Sequence, residues 1–126
     1  VAAACSCSHM TGSAMYGEAT IVMRGKVVST SLQTNPGLGD ELGTEIVRAK
    51  VATLEVFKGR QVESLVVVGG TNYRNPVCTL PLVAGGEYVF VLGKDMVASH
   101  CNSWFADAPD RQEEVKTFRR LKAQAK

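Results

Sequence analysis

Four cysteines carry the most distinctive chemistry open to this chain: Cys5, Cys7, Cys78 and Cys101. An even count without a C-x-x-C pair reads most directly as two disulfides. Zinc offers a second reading, because Cys5, Cys7 and His9 with His100 and Cys101 would supply thiolates and imidazoles, the ion's usual ligands. C-x-C is a poor zinc knuckle, however, since the usual one has two or more residues between its ligands. Free thiols are the third reading. Cysteines two apart on an extended segment point to opposite faces, so Cys5 and Cys7 should each reach a distant partner. Ala2-Ala3-Ala4 ahead of Cys5 fits the A-x-A pattern of signal-peptidase cleavage, with Cys5 as the first mature residue. An ordinary small-residue start and a lipoprotein start are the other two readings of Val1–Ala4. Lipidation would consume the Cys5 thiol and leave an odd cysteine. Export agrees with disulfides, so the expected location is secreted or periplasmic.

Other chemistry is scarce. The phosphate-cradling GxxxxGK[ST], the zinc-protease HExxH and the nucleophile elbow GxSxG are all absent. No nucleophile can be assembled with a base and an orienting group, so neither an enzyme nor a cofactor is expected. Fourteen basic against 12 acidic side chains give a net charge of +2, too small to argue for a nucleic-acid partner. No apolar run approaches the ~18 residues of a membrane span. His9 and His100 read as surface or satisfied residues, and Asn72, Tyr73 and Arg74 as an exposed turn or a contact loop.

The elements that must position these cysteines fit one domain over the 126 residues. Residues 8–18 read as a loop or a short helical turn. Thr20–Ser31 is rich in β-branched residues and reads as a strand, with Gly25 marking a bulge or bend. Asn35-Pro36-Gly37 and Gly39-Asp40 place a loop over Thr34–Gly43. Thr44–Phe57 is expected to be a second strand with Ile46, Ala52, Leu54 and Val56 on one face, and Lys58-Gly59 to turn the chain. Val62–Val68 reads as a third strand whose Leu65–Val68 run suggests burial on both faces. Tyr88–Leu92, entered through Gly85-Gly86, and Met96–Phe105 complete five strands. Asp107 suits a helix N-cap with Pro109 in the first turn. Val115, Phe118 and Leu121 follow at helical spacing, with acids early and bases late. Trp104 is expected in the core. Together these predict a mainly β chain: residues 5–105 a five-stranded OB-fold barrel, 107–125 a C-terminal helix, and 1–4 a signal-peptide remnant or N-terminal extension.

The ordered set Cys5-Ser6-Cys7-Ser8, Ala19–Ser29, Val56-Phe57-Lys58-Gly59, Val77-Cys78, Gly85-Gly86-Glu87-Tyr88 and a late Cys101 resembles the inhibitory domain of the tissue inhibitors of metalloproteinases. That domain is a netrin-like module on a five-stranded barrel. The resemblance runs from Cys5 to about Trp104. The family's third disulfide in this domain has no cysteines here, and its second domain has no counterpart, so the likeness is to a minimal single-domain relative.

The resemblance implies the pairing Cys5–Cys78 and Cys7–Cys101, and a protease-binding ridge of Cys5, Ser6, Cys7, Ser8, Asn75, Pro76, Val77 and Cys78. It also implies a monomeric inhibitor that holds no metal of its own. Instead, the α-amine and carbonyl oxygen of Cys5 would chelate the catalytic zinc of a target metalloprotease and displace its water. Ser6 would enter the pocket beside that metal. The alternative is a non-inhibitory extracellular netrin-like module that binds other proteins.

Overall fold

The structure, a computed structural model, describes Cys7 and residues 10–37, 45–70 and 79–125. Density of β-branched residues sets the strands. β1 spans Ile21–Thr34, β2 Glu45–Lys58, β3 Ser64–Gly69, β4 Glu87–Leu92 and β5 Trp104–Phe105. They form one antiparallel sheet in the order β3-β2-β1-β4-β5. The chain is therefore mainly β, as expected, but the sheet is open. Among the described residues, isolated bridges alone lie beyond its edges, one of them a parallel bridge between Val68 of β3 and Val97.

The sheet buries both faces. On one, Met23, Val51, Val67, Tyr88 and Phe90 pack with Leu80, Leu82 and Ala98 from the flanking segments. On the other, Val22, Phe57, Val89, Val91 and Trp104 meet two helices, α1 (Gly12–Glu18) and α2 (Gln112–Gln124), through Met15, Val115 and Phe118. Successive β4 residues thus alternate between two cores, and Tyr88–Leu92 are all buried.

β4, not β3, is the strand buried on both faces. β3 is an edge strand, and its Val66 is 49% exposed. In β2 the buried set is Ile46, Val47, Ala49, Val51, Val56 and Phe57, while Leu54 points outward. Register shifts against β1 at Val22/Met23, Arg24/Gly25 and Val27/Ser29 break the simple alternation expected there. One of them falls at Gly25, where a bulge was expected. Gly59 takes φ +102 at the turn after β2.

Of the two readings of residues 8–18, the helical one holds over Gly12–Glu18: α1 is capped by Thr11, whose hydroxyl accepts from the Ala14 N–H at 3.1 Å. Two expectations need correction. The fifth strand is only Trp104–Phe105. Ahead of it Met96 adopts φ 61, Val97 and Ser99 make single bridges, and a turn runs through His100–Asn102. Asp107 does not cap the C-terminal helix. Pro109–Arg111 form a 3-10 turn, and α2 starts at Gln112, whose side-chain amide donates to the Ala106 and Ala108 carbonyls (3.2 and 2.8 Å).

Candidate functional site

Cys7 and Cys101 form a disulfide with their Cα atoms 5.4 Å apart. The turn that carries Cys101 is built by the serines around it. The Cys101 N–H donates to Ser99 Oγ at 3.1 Å, and the Ser103 N–H to the Ser99 carbonyl at 2.8 Å. Ser103 is itself buried, and its hydroxyl accepts from the Val91 N–H at 3.1 Å near the end of β4. One end of the disulfide is therefore tied to the sheet, through a part-buried turn bond at Cys101 and a buried bond from Ser103 to β4.

The other end enters α1 within four residues. That helix is locked to the end of β2: Tyr16 OH donates to the Phe57 carbonyl at 2.8 Å. Lys58 Nζ donates to the Tyr16 and Gly17 carbonyls at 2.6 and 3.2 Å, satisfying the helix C-terminus.

The flank of a third cysteine comes to the same place. Thr79, which follows Cys78, is bridged antiparallel to Ser99, and the Leu80 N–H donates to the Ala98 carbonyl at 2.8 Å. Beside the disulfide lies a depression of about 390 Å³ lined by Met10, Met15, Asn102, Arg111 and Glu114. Arg111 pairs with Glu114 at 3.2 Å and stacks over the buried Trp104 ring at 4.6 Å. Trp104 is a core residue, as expected.

Of the expected ridge, Cys7 lies in this site. Cys5, Ser6, Ser8, Asn75, Pro76, Val77 and Cys78 lie outside the described residues, as do His9, Asn72, Tyr73 and Arg74. The Cys5–Cys78 pairing falls there too. His100 sits with Cys7 and Cys101, all three ligand atoms within 4.8 Å of one another. The two sulfurs are joined to each other, which leaves the imidazole as the one metal ligand of the three.

Sequence reasoning missed the supports of this site: Thr11, Tyr16 and Lys58 under α1, and Ser99 and Ser103 around Cys101. The Ser99-His100-Cys101-Asn102-Ser103 alternation was the available signal, because serines favour side-chain-to-backbone turns.

A second concavity, of about 620 Å³, opens between α2 and the sheet and is lined by Arg24, Glu87, Phe105, Asp107 and Arg119 among others. At its edge Arg119 donates two hydrogen bonds to Glu55, at 3.0 and 3.2 Å. That pairing holds the Glu55 carboxyl below its ordinary value and raises Arg119 above its own. Arg24 lies 3.9 Å from Glu55 and 3.6 Å from Glu87.

No protein-family model and no curated protein matches this chain.

Proposed function

We propose that the protein is an exported inhibitor of zinc metalloproteases that acts through a mature N-terminal Cys5. The observation that carries the reading is the Cys7–Cys101 disulfide, two residues beyond Cys5 and anchored to β4 through Ser103. A chelating terminus needs such a mount, because ordering done in advance is not charged against binding. The Thr79–Ser99 bridge supports a second covalent tie, Cys5–Cys78, on the same side. The Cys5 amine and carbonyl would then occupy the open position of the protease zinc, with Ser6, Ser8 and Asn75–Cys78 against the cleft walls. A disulfide also supports export to an oxidising compartment, secreted or periplasmic. The finer architecture belongs to the same reading: the parallel Val68–Val97 bridge supports an OB-type barrel closed between β3 and the segment after β4.

The amine must be deprotonated to bind metal, and its reference pKa is about 7.7–8.0. Inhibition should weaken as the pH falls below that range. With Val1–Ala4 in place the Cys5 nitrogen is an amide without a lone pair for zinc, so the untrimmed chain should be inactive. The test compares chains beginning at Val1 and at Cys5 against a panel of zinc proteases. Inhibition by the trimmed form alone, abolished by acetylating its amine, is the expected result. Equal behaviour of the two forms overturns chelation. If neither inhibits, the non-inhibitory binding module takes its place.

A further inference from the structure

Among the described residues, β1 is paired on both sides for only half its length. Its ladder with β4 runs from Ile21 to Lys26, and Val27 adds two backbone bonds to Gly85 and Gly86 at 2.8 and 2.9 Å. From residue 28 to 34 the strand keeps β2 on one side and, among the described residues, has no strand on the other. All seven residues are exposed, Val28 by 56% and Leu32 by 59%. They read Val-Ser-Thr-Ser-Leu-Gln-Thr, without a charge or a proline. Natural edge strands are usually blunted by lysine, proline or a bulge. The nearest register shift lies at Val27/Ser29, so Ser29–Thr34 runs regularly against Lys50–Glu45 and offers a straight template.

We propose that this edge pairs with the same edge of a second copy, antiparallel about a two-fold axis at Ser31. The choice of partner rests on self-matching. In an antiparallel pair, residues opposite each other share a face. Centring on Ser31 sets Thr30 against Leu32, Ser29 against Gln33, and Ser31 against itself. Thr30 and Leu32 lie in register with Ala49 and Val47, so the more apolar face of one copy continues into that of the other. Ser29, Ser31 and Gln33 meet on the opposite face, in register with Lys50, Arg48 and Ile46; Arg48 Nε donates to Gln33 Oε1 at 2.6 Å, which leaves the Gln33 amide N–H groups and the two serine hydroxyls for bonds across the axis. No like charges oppose each other, the arrangement that destabilises cross-strand pairs. The contact is isologous and closes at two copies. A seven-residue edge is about 24 Å long. Alone it falls short of the ~1,200 Å² of a standard interface, so the dimer is reversible and forms at high protein concentration. This inference stands apart from the inhibitory reading, since the disulfide site takes no part in it.

Sedimentation of the full chain from about 1 μM to about 1 mM tests it. The mass should double across that range, and amides of residues 28–34 should exchange about tenfold more slowly in the concentrated sample. Ser31→Lys sets two lysines face to face on the axis and should keep the protein monomeric with its melting temperature unchanged. A wild-type monomer throughout overturns the proposal, as does a dimer that Ser31→Lys leaves intact. Should Ser31→Lys fail to fold, wild-type exchange decides alone: no protection of 28–34 on concentration overturns the pairing. Protection that appears only on adding a different protein also overturns it and gives the edge to that protein.

Discussion

Phe118 lies at the meeting point of α1, α2 and the sheet, its ring 5.8 Å from Phe57 and 6.1 Å from both Tyr16 and Trp104. Truncation to alanine there removes one side of three aromatic contacts and leaves a cavity. Phe118→Ala should cost about 3–5 kcal/mol in urea unfolding. Leu121→Ala, half-buried, should cost clearly less. The spacing of Val115, Phe118 and Leu121 made this face legible in the sequence, because helical periodicity encodes burial locally. The Glu55–Arg119 pair was not legible: 64 residues separate its members and only the fold joins them. Its folded-state carboxyl is depressed, first by the Arg119 hydrogen bond. Its stabilisation is therefore complete above the ordinary glutamate value of about 4.3 and is lost as the pH falls through the depressed value. Both side chains reach solvent, so the contribution is under about 1 kcal/mol. Glu55→Gln should lower stability by that amount at neutral pH and by nothing in strong acid. An equal loss at both pH values would mean that packing, not charge, joins the pair.

At the scale of elements, the first four strands were readable because runs of β-branched residues are bounded by glycine and proline. What escaped was the segment from Met96 to Ser103. Its Met96 takes a left-handed backbone that methionine rarely adopts, and Ser103 bonds to Val91 backbone that becomes adjacent only in the fold, although the Ser99 bond to Cys101 is local. The start of α2 was displaced for a similar reason. Pro109 favoured a 3-10 turn, and the Gln112 side chain ties the start of α2 to the carbonyl of Ala108 ahead of that turn. Two glycines separate close packing from open space. A Cβ at Gly69, the last residue of β3, would come within 2.6 Å of the Leu80 carbonyl oxygen and the Leu82 side chain. Gly69→Ala should destabilise by about 1–3 kcal/mol as the backbone shifts. A Cβ at Gly17 in α1 would meet nothing within 4 Å. Gly17→Ala should raise stability by up to about 1 kcal/mol through helix propensity. Thermal melts of the two variants should move in opposite directions, and a shared direction would contradict the packing described at Gly69 or the helix at Gly17.

For the whole molecule the dominant constraint is the Cys7–Cys101 bond, which joins residues 94 apart. Spacing alone could not single it out, since four cysteines allow three pairings; the family resemblance implied it. In the chain-entropy model such a loop contributes at most about 4–5 kcal/mol. Replacing both cysteines with serine should remove much of that in denaturant unfolding, while a loss near zero would mean that the unfolded chain is already compact. The same bond decides how the protein bears load. Covalently, residues 7 to 101 form a closed ring. A pull applied from outside the ring passes through the sulfurs, and the strands inside it carry none. Reducing the bond would release on the order of 300 Å of further contour. Anything that unfolds proteins by threading them from one end would have to pass the ring as a double strand, or cut the bond first.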